Sequence, residues 1–330
     1  MNRKSTKYYH VFIPIITIFF LYLSLRNVSI YDALKVILHI DIFYITLAGL
    51  SVVSVFLIKS LFWRMLLYSI KKNRVFNVIS TYFIGQFYNE VFPLRVGEFV
   101  KVFLISKKEN YSKAAVFSTI FLEKLIDGII AFTIFISILL YIPASKKLGN
   151  HLVREFLLYI LLLLLFILFI NQKNIFIGLI RRFLKLNPSL GDKTSSIIDS
   201  FLAGTKIFKN RKKMLLLIAI AVFVWLIDGL FYFLIAKGIN IPQIGYIESL
   251  LIVTTIAIGS VFFSTPGDIG VYEYFGMIIC TSILGIPKEK AFGYIILTHL
   301  IYFIIPLTIG LGFLIKENIP ISSLKKNALD

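Results

Sequence analysis

Six long apolar runs constrain this chain more than any other feature of its sequence. They lie at 9–25, 40–70, 113–142, 152–170, 214–237 and 289–315. A helix needs about 20 predominantly apolar residues to cross the hydrocarbon core of a bilayer, and each run reaches roughly that length. The chain is also 58% hydrophobic, with a mean hydropathy of +0.88. We therefore predict an all-α polytopic membrane protein with about six full spans.

Two further apolar regions, 76–100 and 247–285, are interrupted by proline and glycine. We interpret them as helical hairpins that enter the membrane and leave it on the same side, with ordinary kinked spans as the alternative. Residues 27–39 are expected to form a short helix on the membrane surface. The whole chain, 1–330, is predicted to be a single integral membrane domain without a soluble domain, and its first apolar run is read as a retained signal anchor.

The distribution of Lys and Arg predicts the orientation in the cell membrane. With both termini cytoplasmic and both hairpins re-entrant, the cytoplasmic segments carry 25 of the 35 basic residues and the outer segments carry 8. That bias agrees with the positive-inside rule, and the basic loop 171–213 contributes most to it. The two hairpins then have opposite orientations, one in each half. This arrangement is typical of inverted-repeat transporters with a site near the membrane midplane, although no residue-level repeat is apparent.

Charge and composition narrow the possible ligands. The formal net charge of +18 is attributed to cytoplasmic loops and anionic lipid headgroups, and no nucleic acid partner is expected. Cys280 is the only cysteine, and the four histidines lack the i,i+3 or i,i+4 spacing of a metal-ligand pair. We predict no metal site, no cofactor and no internal disulfide.

The first interrupted region reads GQFYNEVFPLRVGEFVK, from residue 85 to residue 101. Pro93 is expected to stop a helix soon after Asn89, and a new helix is predicted from Phe99 onward, after the turn around Gly97. A helix that begins at membrane depth has unpaired backbone N–H groups, which suit a phosphate. Arg95 is a candidate for bidentate phosphate contact.

Two more charged residues of this region join the predicted site. Lys101 is a candidate point charge for phosphate. Glu98 is expected either to pair with Arg95 at i,i+3 or to receive a cation from the substrate. The alternative for the whole region is a purely structural kink.

The second interrupted region, STPGDIGVYE, begins at Ser264. Ser264 or Thr265 is predicted to cap a helix that has Pro266 at its first position. Gly267 and Gly270 would permit close approach of another backbone. Asp268 and Glu273 are acidic and Tyr272 offers a hydroxyl. Tyr272 and Glu273 are the candidate site residues of this region and are expected to serve the outer gate of the headgroup path.

A third polar group lies inside the run 113–142. Glu123 and Asp127 share one helix face, and Lys124 is expected to pair with Asp127 at i,i+3. Arg95 and Lys101 are predicted partners for these acids, and a purely structural ion pair is the alternative. His299 is read as a satisfied core residue.

Taken in order, these elements resemble the lysylphosphatidylglycerol synthase transmembrane region, also called the flippase-like domain family. The resemblance rests on three short elements along nearly the whole chain. They comprise Asn89, Pro93, Gly97 and Glu98; Glu123, Lys124 and Asp127; and Pro266, Gly267, Gly270 and Glu273. Lys124 stands where the family more often has Arg, and Asp268 where a second Gly is usual.

The resemblance implies a lipid-handling membrane module. In its best-known members the module moves an aminoacylated phosphatidylglycerol between leaflets and is fused to a soluble domain that makes this lipid. For this chain it implies a flippase-like transporter of a phospholipid or polyprenyl-phosphate headgroup, without lysyl transfer of its own. A membrane adaptor for a separate lipid synthase or glycosyltransferase is the second hypothesis, and an enzyme acting on lipid phosphate is the third. Expected partners are anionic membrane lipids, a separate lipid-modifying enzyme and a second copy of the chain.

Overall fold

The fold is known from a computed structural model that describes residues 3–38, 40–141 and 210–320. Throughout these residues the chain is helical, and no strand occurs in them. The predicted span 152–170 and all but the last residues of the basic loop 171–213 lie outside the described residues. The expected all-α class is thus confirmed for the described ranges.

Ten α-helices carry the described fold. They are α1 (Arg3–Leu25), α2 (Ile30–Leu38), α3 (Ile42–Leu67), α4 (Val75–Val91), α5 (Val96–Glu109), α6 (Lys113–Tyr141), α7 (Arg211–Gly238), α8 (Tyr246–Phe262), α9 (Val271–Met277) and α10 (Lys288–Lys316). A 3₁₀ turn, Pro266–Asp268, precedes α9, and a π-helical turn, Ile278–Ile283, follows it.

Three of the described helices, α3, α7 and α10, are long and apolar enough to cross a membrane. The helix α6 has the predicted extent, but Glu123, Lys124 and Asp127 interrupt its apolar sequence. Residues 14–25 of α1 reach the required length only together with α2, from which they are bent by 81°. The predicted short helix at 27–39 is present as α2.

Side-chain caps explain where two of these long helices begin. Asp41 precedes α3 and accepts a hydrogen bond from the backbone N–H of Phe43 at 2.9 Å. Asn210 precedes α7 and accepts one from the N–H of Lys213 at 3.1 Å. Each cap satisfies a donor that the first turn of a helix leaves without an intrahelical partner.

The first interrupted region forms an antiparallel hairpin, α4–α5, hereafter the first hairpin. Its open end is closed by Glu109, which accepts hydrogen bonds from the Arg74 backbone at 3.1 Å and from Asn77 at 2.7 Å. The tip lies at Phe92–Arg95, so α4 stops one residue before the predicted Phe92–Pro93 break. The new helix begins at Val96 and not at Phe99, because Leu94 and Arg95 complete the turn in left-handed conformations.

The second interrupted region also folds back on itself, as α8 followed by α9, hereafter the second hairpin. Pro266 stands at the predicted first helical position, but of a single 3₁₀ turn, Pro266–Asp268, and the α-helix α9 begins only at Val271. Gly267 and Asp268 have φ angles of 57° and 53°, which end the turn at once. Thr265 donates its hydroxyl to the carbonyl of Ile269 at 2.9 Å and does not cap a helix.

Two long helices, α3 and α7, pack together at the centre in antiparallel directions. The end of α7 meets the beginning of α3, where the backbone N–H of Asp41 donates to the carbonyl of Gly238 at 3.1 Å. Further along α3, Lys59 lies 4.0 Å from Asp228, which is ten residues earlier in α7. Around this pair the first hairpin packs on α10 and the second on α6, so that both hairpin tips point into the bundle.

Candidate functional site

A polar cavity of about 420 Å³ lies between the two hairpin tips and the helices α3, α6, α7 and α10. Its walls are apolar in part, with Phe56 and Trp225 among them. The ionisable side chains that line it, apart from the tyrosines, are Lys59, Glu90, Arg95, Glu98, Lys124, Asp127, Asp228, Asp268 and His299. So many charges inside an apolar bundle are costly unless they are paired or reach water or a ligand.

The two hairpin tips meet across this cavity. The guanidinium of Arg95, at the first tip, lies 4.0 Å from the carboxylate of Asp268 at the second. It also donates a hydrogen bond to the backbone carbonyl of Ser260, at 3.4 Å. Both Arg95 and Asp268 adopt left-handed backbone conformations, which are uncommon outside glycine and cluster at functional sites.

Glu98 occupies the wall of the cavity at the start of α5. Its carboxylate lies 2.7 Å from the ammonium of Lys101 and 3.0 Å from that of Lys124. The side-chain amide of Asn89 donates a third contact at 3.3 Å. The predicted Glu98–Arg95 pair is therefore not formed, because the left-handed conformation of Arg95 precedes the helix and Arg95 extends to the second hairpin.

Behind Glu98 lies Lys101, whose side chain is completely buried and does not line the cavity. Its ammonium also reaches Glu123 at 3.4 Å, as expected, and sits over the rings of Trp63 and Tyr82 at 5.0 and 4.7 Å. Two carboxylates and two aromatic faces thus surround this cation. Lys101 compensates buried acids, and Arg95 is the better placed of the two predicted phosphate ligands.

A second group of charges joins α3, α6, α7 and α10. Lys59 lies 3.6 Å from Asp127 and 4.0 Å from Asp228. The hydroxyl of Tyr302 donates a hydrogen bond to Asp228 at 3.1 Å. The predicted Lys124–Asp127 pair is wrong, since each residue is paired with another helix: Lys124 with Glu98 and Asp127 with Lys59.

The second hairpin contributes a compact acid–base pair. Glu273 lies 2.5 Å from Nδ1 of His299, and its other oxygen accepts the backbone N–H of Gly270 at 2.7 Å. Nε2 of His299 contacts the carbonyl of Gly267 at 2.8 Å. A carbonyl oxygen only accepts, so Nε2 donates this hydrogen bond. The ring of Tyr272 stacks on His299 at 4.2 Å.

The predicted site residues fall into three sets. Those that line the cavity are Asn89, Arg95, Glu98, Asp127, Gly267 and Tyr272; those buried behind it are Lys101, Glu123 and Glu273. The remaining helix breakers, Pro93, Gly97, Pro266 and Gly270, are absent from the cavity lining, and they shape the hairpins that present it. Their roles in binding stay predictions.

Apart from tyrosines, six ionisable residues of the cavity were not among the predicted site residues: Lys59, Glu90, Lys124, Asp228, Asp268 and His299. Lys59, Asp228 and His299 each stand within an apolar span, and a charged or titratable residue in such a place is itself a signal of a functional site. His299, read from the sequence as a satisfied core residue, is fully hydrogen-bonded and also faces the cavity. In the described part of the chain, no group of three or more His, Cys, Asp or Glu side chains is arranged to hold a metal ion.

Residues 11–310 match the family model described as the lysylphosphatidylglycerol synthase TM region. The chain belongs to this family. It is also similar to UPF0104 membrane proteins from two archaea. One from Methanocaldococcus jannaschii is 24% identical, covering 94% of this chain and 95% of its own. Another from that organism is 29% identical, covering 70% of this chain and 95% of its own. One from Pyrococcus horikoshii is 28% identical, covering 86% of this chain and 90% of its own.

Membership confirms the resemblance drawn from the three motifs. All three motifs converge on the cavity or its immediate support: Asn89 and Glu98 from the first, Lys124 and Asp127 from the second, and Gly267 with Glu273 from the third. The fold thus brings the three motifs together around one cavity, and their roles in binding stay predictions.

Proposed function

We propose that this chain is a flippase-like transporter that moves a phosphate-bearing lipid headgroup, of a phospholipid or a polyprenyl phosphate, between membrane leaflets. The observation that carries the proposal is the charged cavity between two hairpin tips inside an apolar helix bundle. A lipid headgroup needs such a polar path, because a charge in hydrocarbon costs several kcal/mol. The tails remain in the surrounding lipid.

Within this proposal Arg95 contacts the phosphate. Its guanidinium is about a third exposed, and its contact to Asp268 is at 4.0 Å, longer than a direct hydrogen bond. A phosphate would therefore offer Arg95 stronger, bidentate bonds than it makes in the empty bundle. Glu98 and Asp127 either close internal ion pairs or receive a cationic part of the headgroup. The chain works as a transporter and not as an enzyme, and the re-entrant membrane placement of both hairpins belongs to this proposal.

Leaflet exchange in liposomes tests the proposal. The purified full chain is reconstituted with tail-labelled fluorescent lipids, and a membrane-impermeant quencher reports the labels that reach the outer leaflet. We expect the protein to accelerate exchange and both Glu98→Gln and Arg95→Ala to slow it about tenfold or more, the factor that about 1.4 kcal/mol produces. Asp32→Asn is the matched control, because Asp32 forms an exposed pair with Lys35 outside the cavity.

Lack of accelerated exchange for every lipid in the panel, from protein that elutes as a folded species, contradicts the proposal. That result favours the membrane adaptor, and the next step is then a search for a synthase or glycosyltransferase that co-purifies with the chain. An adaptor would keep its function after neutral substitution of Glu98 and Glu273.

A further inference from the structure

The two described halves of the chain are built from corresponding helices. In order, α3, α4, α5 and α6 correspond to α7, α8, α9 and α10. The helices α4 and α8 have 17 residues each, and α6 and α10 have 29 each. The packing corresponds as well, since α4 packs on α10 just as α8 packs on α6.

Two contacts between corresponding helices repeat at the level of single residues. In the first half Lys59 of α3 contacts Asp127 of α6, and in the second half Asp228 of α7 contacts Tyr302 of α10. All four residues line the cavity. Lys59 on α3 and Asp228 on α7 also contact each other. If a two-fold axis relates the two halves, it exchanges Lys59 with Asp228, so the contact between these two residues is expected to lie on that axis.

A second pair of contacts obeys the same correspondence. The indole N–H of Trp63 in α3 donates to the hydroxyl of Thr119 in α6 at 3.1 Å. In the other half, the hydroxyl of Tyr294 in α10 donates to the backbone carbonyl of Tyr232 in α7 at 3.0 Å. Trp63 lies four positions after Lys59 in α3, and Tyr232 lies four positions after Asp228 in α7.

The hairpins supply the third and most informative correspondence. Glu98, third residue of α5, pairs with Lys124 of α6, and Glu273, third residue of α9, pairs with His299 of α10. A shift of 175 positions relates the residues of α9 and α10 to those of α5 and α6: 98 to 273, 119 to 294, 124 to 299 and 127 to 302. A shift of 169 positions relates those of α7 to those of α3: 59 to 228 and 63 to 232. The sequence hides the repeat because the paired chemistries differ, Lys against His and Asp against Tyr.

The relation between the halves is an inversion. The helices α3 and α7 correspond to each other and run antiparallel, since the start of α3 meets the end of α7. A two-fold operation that exchanges antiparallel helices has its axis perpendicular to them. If α3 and α7 cross the membrane, that axis lies in the membrane plane, and equivalent parts of the two halves face opposite sides.

We propose that Glu98–Lys124 and Glu273–His299 are counterpart gates, one for each side of the membrane, which open in turn to admit the headgroup into the cavity. The inference rests on the proposed transport function. It assigns a functional role to His299 as the counterpart of Lys124. It also gives Glu98 and Glu273 the same role, each in its own half of the chain.

The two proposed gates differ in exposure in the described structure. In the first gate the side chains of Lys124 and Glu98 are 37% and 13% exposed, while those of His299 and Glu273 are 11% and 3% exposed. Glu98 lines the cavity and Glu273 does not. Both pairs are formed, and the first is the more exposed of the two. In an inverted repeat the opposite state follows when the two halves exchange these conformations.

Thiol accessibility tests the inference without measuring transport. In a Cys280→Ser background, which removes the chain's only and buried cysteine, Ala257→Cys places a thiol on the cavity wall. A membrane-impermeant maleimide is then added to either face of oriented proteoliposomes. We expect Glu98→Gln and Glu273→Gln to shift the ratio of the two labelling rates in opposite directions, each by about threefold or more. Shifts in the same direction, or no shift, overturn the inference.

A double variant that keeps both ion pairs tests the same inference in a protein that is still expected to fold. The double substitution Lys124→His with His299→Lys keeps a basic partner for each glutamate and swaps the character of the two gates. We expect it to move the labelling ratio toward the opposite face, and an unchanged ratio in folded protein counts against the inference. If the labelling ratios shift as expected while no lipid is exchanged, the transport proposal fails and the paired gates stand.

Discussion

At the scale of single residues, the chain stabilises its buried charges by tertiary pairing. Lys101 shows this most clearly, because its completely buried ammonium joins Glu98 of its own helix to Glu123 of α6. Removing one partner of a buried pair leaves an uncompensated charge in a medium of low dielectric constant. The lysine therefore holds the first hairpin against α6 as well as balancing two acids.

Lys101→Met is expected to lower the free energy of unfolding by about 3–5 kcal/mol, because Glu123 then remains buried without its cation. Denaturant unfolding in mixed micelles measures the change. The double variant Lys101→Met, Glu123→Gln should recover a substantial part of the loss, and Lys35→Met, in an exposed pair, should cost about 1 kcal/mol or less. A double variant no more stable than the single one would refute this account of Lys101.

At the scale of elements, glycine determines how closely the first hairpin closes. A Cβ added at Gly97 would overlap the backbone carbonyl of Gly85 on the facing helix and would lie 2.5 Å from Oδ1 of Asn89. The helices α4 and α5 can thus approach only because both positions lack side chains. Their close approach in turn places Asn89 against Glu98 at the cavity.

Gly97→Ala is expected to destabilise the protein by about 1–3 kcal/mol and to slow lipid exchange, because α4 and α5 must separate. Gly312→Ala is the matched control: it lies in the helix α10, and a Cβ there has no atom within 4 Å. That control should leave exchange unchanged and stabilise the helix by up to about 1 kcal/mol. Equal effects of the two substitutions on unfolding would contradict the packing argument.

The helix breaks could be predicted from the sequence, whereas the ion pair of Lys124 could not. Pro93 and Pro266 predicted both helix interruptions, because a proline ring and its missing N–H disfavour a helix interior. Proline alone does not decide the break, since Pro306 lies inside the continuous helix α10. The partner of Lys124 was not predictable, because i,i+3 spacing offered Asp127 while the fold supplied Glu98 from another helix. Local chemistry thus located the breaks, and only the packing of distant helices decided which charges met.

At the scale of the whole molecule, the chain as a whole has more basic than acidic side chains, whereas the cavity lining has more acidic than basic ones. The chain is strongly basic, with exposed cations near helix ends such as Lys71, Lys72 and Arg211. Around the cavity, five carboxylates face three Lys and Arg side chains, together with His299. Arg95 and Lys101, which the topology argument counted as cytoplasmic loop cations, lie at the cavity or buried behind it. The net charge summed over the whole sequence does not show which charged side chains line the cavity and which lie on the surface.

An acidic cavity should favour a headgroup that brings its own cation beside the phosphate. Glu90 lines the cavity and makes no hydrogen bond or ion pair to another residue of the described ranges, so its carboxyl oxygens are available to accept hydrogen bonds from an ammonium group. We expect tail-labelled phosphatidylethanolamine to exchange about fivefold faster than phosphatidylglycerol, which corresponds to about 1 kcal/mol. Glu90→Gln should bring the two rates together, while Asp32→Asn should leave their ratio unchanged. Faster exchange of phosphatidylglycerol by the unmodified protein would show instead that Arg95 and its neighbouring cations, and not the excess of carboxylates, select the lipid.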